Sequence, residues 1–273
     1  MMKPEPVSTK KFQKAFATTK ARTAMALQAC TIRPTPEAIH EARIAIRKLT
    51  TIVSLMPRGF RRDGRTVETA RALRLFYNDC ARIRDVDAML KTLSTGTVFG
   101  DLTKVMGDLR KRRSALSARV LESRDKMSRL AFPKPMDVNR RGLSKRLDKL
   151  LTKRAGRASE LYRIVSRRQE KVVELHKLRK ECRHLMYLLD YAKENPIIKS
   201  ARLDFENARE KLGSIRDDDV LLDLLRGTTA SASVANAYAV VSAGRSSKYR
   251  KFFSDQMVRG KTPRLVESVL SLT

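Results

Sequence analysis

The chain has 273 residues, 42% of them hydrophobic, so it can bury a core and is not a disordered tail. Against 29 acidic residues stand 59 lysines and arginines, a net charge of +30 that makes a polyanionic partner the first expectation over a merely solvated surface. There is no apolar run of about eighteen residues and no signal-like apolar segment in MMKPEPVSTKK, which argues against membrane insertion and secretion. A soluble, cytoplasmic protein with no membrane partner is the expectation.

Residues 1–6, with Pro4 and Pro6, are expected to be a frayed tail. From about Ser8 to Ala29, Phe12, Ala15, Phe16, Met25 and Ala26 have the spacing of a first helix, stopped by Pro34 and Pro36. Thr35 stands where an N-cap belongs, with Pro36 in the first helical position, so a second helix should run from there to about Met56, ahead of Pro57 and Gly59. A third helix is predicted over Arg65–Arg82, a short fourth over Asp85–Leu93, and a long one from about Phe99 to Leu130. Ser94-Thr95-Gly96-Thr97 reads as a loop. Phe132-Pro133-Lys134-Pro135 cannot continue a helix and reads as a linker, dividing the chain into halves at 7–132 and 136–260. Beyond it, helices are predicted near 137–168, 170–193, 197–213, 217–226 and 231–258. No convincing β-alternation appears, so the fold class is all-α, with antiparallel helices joined by short loops in each half. Cys30, Cys80 and Cys182 fall on apolar helix faces without CxxC spacing and read as buried small hydrophobes in a reducing compartment.

One device occurs twice. In the segment Glu174–Ala192, Leu175, Leu178, Cys182, Leu185, Met186 and Leu189 gather on one helix face, and His176, Arg179, Lys180, Arg183 and Tyr187 on the other. Earlier, Ile39, Ala42, Ile46, Leu49 and Val53 repeat the apolar positions, while His40, Arg43 and Arg47 repeat the histidine and arginines. Downstream of each, Ile83-Arg84-Asp85-Val86-Asp87 is matched by Ile215-Arg216-Asp217-Asp218-Asp219. Two motifs in the same order, at intervals equal to within about four residues, indicate an internal duplication.

A histidine followed at i+3 and i+7 by arginine places three donors along roughly 10 Å of helix. That spacing suits successive phosphates on one chain: arginine grips phosphate oxygens bidentately, lysine acts as a point charge, and histidine donates a hydrogen bond in either charge state. A solvated basic face is the plainer account of one such helix, but its duplication in register with the core favours binding. Metal ligation is disfavoured, because no second histidine or carboxylate accompanies His40 at ligand spacing, His184 lies off the row of His176, and arginines would repel a cation. Asp217, Asp218, Asp219 and Asp223 have the look of a magnesium site acting on diphosphates; helix capping by Asp85 and Asp217, with pairing to Arg84 and Arg216, is the preferred account. Gly59–Thr66 has the glycine spacing of a P-loop, but it follows an amphipathic helix and has Arg65 where lysine is needed, so it reads as a basic turn. No catalytic residue, metal site or cofactor is assigned.

His40-Glu41-Ala42-Arg43-Ile44-Ala45-Ile46-Arg47-Lys48-Leu49, Leu175-His176-Lys177-Leu178-Arg179-Lys180, the two Ile-Arg-Asp-x-Asp segments and Leu212-Gly213 together resemble the CHAD domains, over about residues 7–260. The resemblance implies two four-helix bundles related by a pseudo-two-fold axis, with a cationic groove or pore between them that binds inorganic polyphosphate without hydrolysing it. It further implies that His40, Arg43, Arg47 and Lys48 of one half and His176, Arg179, Lys180 and Arg183 of the other face the ligand. Arg112 and Arg119, a heptad apart, are added by periodicity alone. Some relatives carry a triphosphatase domain marked by Glu-x-Glu-x-Lys; no Glu-x-Glu occurs here. The expectation is a non-enzymatic polyphosphate binder associated with polyphosphate granules. The alternatives are a nucleic-acid-binding protein, which the charge supports equally, and a helical metal-dependent phosphohydrolase. Aromatics are 5% of the chain and tryptophan is absent, so base-stacking platforms are scarce.

Overall fold

The computed structural model describes residues 5–95, 101–130, 137–228, 231–256 and 263–272. Among them every regular element is helical apart from one isolated bridge between Pro6 and Ala192. The chain divides into two compact units, Ser8–Asn139 and Met1–Val7 with Arg140–Thr273.

The first unit contains α1 (Thr9–Ile32), α2 (Pro36–Leu55), α3 (Arg58–Arg62), α4 (Gly64–Thr95), α5 (Thr103–Glu122) and α6 (Arg124–Ser128). Helix α2 starts where local chemistry dictates: Thr35 Oγ1 accepts the Ala38 amide at 3.1 Å, and Pro36 supplies a preset φ without wasting a donor. It lies between α1 and α4, and α5 packs on α4 and α1. The core closes on Phe12, Phe16, Ile39, Leu49, Ile52, Phe60 and Ile83, with Phe16 and Phe60 edge to face at 5.7 Å. At about 25 cal/mol per Å², such fully buried side chains each contribute on the order of 2 kcal/mol.

The second unit contains α7 (Arg140–Val165), α8 (Val172–Leu189), α9 (Pro196–Arg226), α10 (Ala232–Gln256) and α11 (Arg264–Leu270). Helix α8 packs against both α7 and α9, and α10 packs on α9. Asn195 caps α9, its Oδ1 accepting the Ile198 amide at 2.8 Å ahead of Pro196. Residues 5–7 are not a frayed tail: the Val7 amide donates to Tyr191 O at 3.0 Å and the Lys193 amide to Glu5 O at 2.6 Å. All three cysteines are buried and free of disulfides, with Cys30 Sγ and Cys80 Sγ in a thiol–thiol hydrogen bond at 4.0 Å.

Several predicted boundaries move. The third and fourth helices are one, α4, because Ile83, Val86 and Met89 continue its buried face and no proline or glycine interrupts Arg82–Asp85. The stretches 197–213 and 217–226 likewise form the single helix α9 with Gly213 inside it. Asp85 and Asp217 are therefore helix-interior residues and cap nothing. The long helix expected up to Leu130 ends at Glu122; Ser123 Oγ donates to Val120 O at 2.6 Å, competing with the helical ladder, and α6 follows. The basic turn after α2 contains the short helix α3, and Asp63 caps α4 by accepting the Thr66 amide at 3.0 Å. Helix α11 has no counterpart in the sequence reading. The linker at 132–135, the second half of the 94–97 loop and the end of the predicted 231–258 helix lie outside the described residues. No helix among the described residues is long and apolar enough to cross a membrane.

Candidate functional site

In the first unit the apolar positions of α2 are buried at Ile39, Ala42, Ile46 and Leu49, which fixes the rotation of the helix and sets the basic row on its other side. His40 and Lys48 are exposed, and Arg43 and Arg47 are half-buried. Arg43 lies over the Tyr77 ring at 5.4 Å, a cation–π contact that holds its head in place. Arg47 Nε is shut from solvent and has no hydrogen-bond acceptor. Among the described residues neither Arg47 nor Lys48 has a carboxylate within ion-pair distance. Partial desolvation of the ring lowers the His40 pKa from its ordinary value; Glu41 opposes it, and the nearby charges of Arg47, Arg43 and Arg84 add to the lowering. His40 is therefore a neutral hydrogen-bond donor at neutral pH and gains charge only on acidification. Arg84, the arginine of the first Ile-Arg-Asp segment, thus belongs to the same electrostatic cluster.

In the second unit α8 is gripped by α7 and α9, and more of its surface is covered than one apolar face would require. Arg183 and Tyr187, placed by periodicity on the basic side, are 8% and 5% exposed. Lys180 is exposed, and His176 and Arg179 are half-buried. The Arg179 guanidinium lies along α9 at Gly213, where a Cβ would stand 3.3 Å from Nε and 3.4 Å from Nη2, so the missing side chain there makes room for the arginine. Glu181, buried within the row, takes Arg154 Nη1 on both oxygens at 3.0 and 2.9 Å and has Arg157 Nε at 3.5 Å. Burial pushes its carboxyl up, but His184 and Arg154 outweigh it and the pKa falls below the ordinary glutamate value. His184 belongs to this cluster, its Nδ1 3.8 Å from Glu181 Oε2.

The Ile-Arg-Asp-x-Asp segments lie behind these rows. Asp219, 5% exposed, accepts Arg245 Nε on Oδ1 at 2.9 Å and meets His176 Nε2 with Oδ2 at 2.9 Å, while Arg245 Nη2 donates to the carbonyl of Gln169 at 3.0 Å. Asp218 accepts Lys248 Nζ at 2.8 and 2.7 Å; burial nevertheless raises its pKa. In the first unit Arg113 Nε donates to Asp87 Oδ1 at 2.7 Å and Arg113 Nη2 to the carbonyl of Pro34 at 3.0 Å. Asp87 Oδ2 is buried without a hydrogen bond. Asp218 and Asp219 are thus engaged by cations of their own unit rather than converging on an open position, and among the described residues no group of three or more metal-ligating side chains occurs. Arg112 and Arg119 are exposed on α5. Sequence reasoning passed over their neighbour Arg113, although Arg113 and Arg245 repeat at the interval that separates Asp87 from Asp219, a signal already present in the paired motifs.

These features define an all-helical protein in which one basic helix of each unit is backed by an aspartate–arginine pair, part-buried in the first unit and buried in the second. The chain belongs to the CHAD domain family, whose model matches residues 12–226. Among solved structures it is similar to the CHAD domain from the plant Ricinus communis, with a TM-score of 0.58 and 13% identity over 100% of this chain and 94% of that one. It is also similar to PptA from Streptomyces chartreusis, with a TM-score of 0.60 and 15% identity over 92% of this chain and 99% of that one. At these identities the likeness is one of fold. A comparison with curated proteins found no match.

Proposed function

We propose that the chain binds inorganic polyphosphate without cleaving it, using the basic rows of α2 and α8, and that its two units are duplicated four-helix bundles. The observation that carries this reading is the state of the α2 cations. Arg47 and Lys48 have no carboxylate partner among the described residues, and Arg47 Nε is buried with no acceptor, a condition that a bound anion relieves. The duplication is supported by the two matched arginine clasps, Arg113 on Asp87 and Pro34, and Arg245 on Asp219 and Gln169. Polyphosphate is favoured over single-stranded nucleic acid because Tyr187, the one aromatic among the row positions, is 5% exposed, and Tyr77 is covered by Arg43. Association with polyphosphate granules follows as the setting for such an activity.

The test is a competition at fixed ionic strength among long-chain polyphosphate, duplex DNA, single-stranded RNA and heparin. Polyphosphate should win by at least about tenfold at equal phosphate content, or roughly 1.4 kcal/mol. Prolonged incubation with magnesium or manganese should release no orthophosphate. Equal or inverted affinities would make nucleic acid the better reading, and metal-dependent turnover abolished in Asp217→Asn would make the protein an enzyme.

Gly213 provides an independent check. Gly213→Leu places a side chain where the Arg179 guanidinium lies. Helix propensity gains about 1 kcal/mol, which offsets part of the crowding, so the protein stays folded. Polyphosphate affinity should fall about tenfold as Arg179 is displaced from its seat. Unchanged affinity in a folded variant would remove Arg179 from the binding row.

A further inference from the structure

In both units one arginine, remote in sequence from the basic row, holds that row in place. The Arg113 and Arg245 guanidinium groups are bound by their inner edges, with Nε on an aspartate, part-buried Asp87 or buried Asp219, and Nη2 on a backbone carbonyl just ahead of α2 or α8. Arg245 is 7% exposed, so it cannot itself lie along a polyanion at the surface. Its role has to be exercised through what it touches.

We propose that Arg113 and Arg245 are positioning residues for polyanion binding, each clasping the entry of a basic helix to the aspartate of the Ile-Arg-Asp-x-Asp segment. This rests on the polyphosphate reading. The entry carbonyl fixes where α2 or α8 begins, and hence the height and rotation of the row that follows it. In the second unit the clasp does more: Asp219 uses its other oxygen on His176 Nε2, so Arg245 and His176 share one carboxylate and the imidazole is oriented. In the first unit Asp87 Oδ2 has no hydrogen bond and His40 is exposed, so Arg113 positions the helix alone. The two clasps are therefore unequal, and the second should matter more.

The experiment compares Arg245→Met, Asp219→Leu with Arg245→Met, and the corresponding Arg113→Met and Asp87→Leu/Arg113→Met. Melting temperature, affinity for long-chain polyphosphate well below the melting temperature, and the slope of log affinity against log salt are measured for each. Arg245→Met leaves Asp219 buried without its arginine and should melt earlier, whereas the double variant, with no buried charge left unmatched, should regain most of the loss. Affinity should fall about tenfold in both, in Arg245→Met because the entry of α8 is no longer clasped and in the double variant because His176 also loses the carboxylate that orients it, and the Arg113 variants should lose less. The salt slope should not change, since no phosphate contact has been removed. Nitrogen NMR of the His176 ring, assigned by comparison with His176→Gln, should show a single tautomer in the wild type and a mixture in the double variant, independently of any ligand.

Recovery of both melting temperature and affinity in the double variant would mean that the clasp only stabilises the fold, which overturns the proposal. A salt slope reduced by roughly 0.7 would mean direct phosphate contact, which also overturns it. If Arg245→Met fails to fold, the double variant decides alone. A wild-type protein that does not bind polyphosphate overturns the functional reading and this role with it, an outcome distinct from wild-type binding that the variants leave unaltered.

Discussion

Replacing Arg43 and Arg47 together by glutamine is expected to lower affinity for long-chain polyphosphate about a hundredfold, and Arg179→Gln with Lys180→Gln to do the same to within about threefold. Each pair removes two charge-assisted hydrogen bonds to phosphate, and at about 1.5 kcal/mol apiece the loss is near 3 kcal/mol. The slope of log affinity against log salt should decrease by roughly 0.7 for each phosphate no longer neutralised, as fewer counterions are released. Folding should survive, because the apolar positions of α2 and α8 are untouched and the net charge of +30 falls to a value with less self-repulsion. Lys180 is used in place of Arg183 in the second pair because Arg183 is 8% exposed and its replacement would test burial as much as binding. One pair abolishing binding while the other, helical by circular dichroism, keeps its affinity and salt slope would show that a single basic helix does the binding.

Glu181→Gln is expected to cost about 2 kcal/mol of stability at neutral pH. The carboxylate is 4% exposed and takes both oxygens to Arg154, with Arg157 at 3.5 Å, so the substitution breaks a mostly buried pair. Because Arg154 is about a third exposed and can turn to water, the loss belongs at the lower end for such pairs. The sign with pH follows from the direction of the shift. The folded pKa lies below the unfolded value near 4.5, so the unfolded state takes up its proton first as pH falls. The contribution of Glu181 is complete above the unfolded pKa and disappears as pH drops through the folded one. Melting temperatures of the wild type and Glu181→Gln should therefore differ at pH 7 and converge in acid, as pH falls through the lowered folded pKa. A difference that stays constant into acid would mean that charge on Glu181 is not what the fold uses.

The start and rotation of α2 were legible because they depend on neighbours within four residues: a threonine cap, a proline at the first helical position, and apolar residues at helical spacing. The core face of α8 was legible for the same reason, but its basic face was legible only at His176, Arg179 and Lys180. Amphipathic periodicity assumes one covered side, and α8 is covered by both α7 and α9, which is why Arg183 and Tyr187 are buried. The boundary drawn at Arg82–Asp85 failed in a related way. A cluster of charges looks like the end of a helix when it is assumed to face water, and here Ile83 and Val86 carry the buried face straight through it.

Composition, helical periodicity and the twice-repeated histidine–arginine pattern therefore determined, from the sequence itself, the all-helical class, the family and the orientation of α2. Only tertiary structure decided what the acidic residues do. Asp87 could have been a cap, a metal ligand or a solvated charge, and its chain neighbours do not choose among these. The choice is made by Arg113, 26 residues further on and on another helix, just as Asp219 is claimed by Arg245 and His176. A carboxylate buried in a protein of such positive charge takes its role from the cation that packing delivers to it, and packing is a property of the folded chain rather than of any segment.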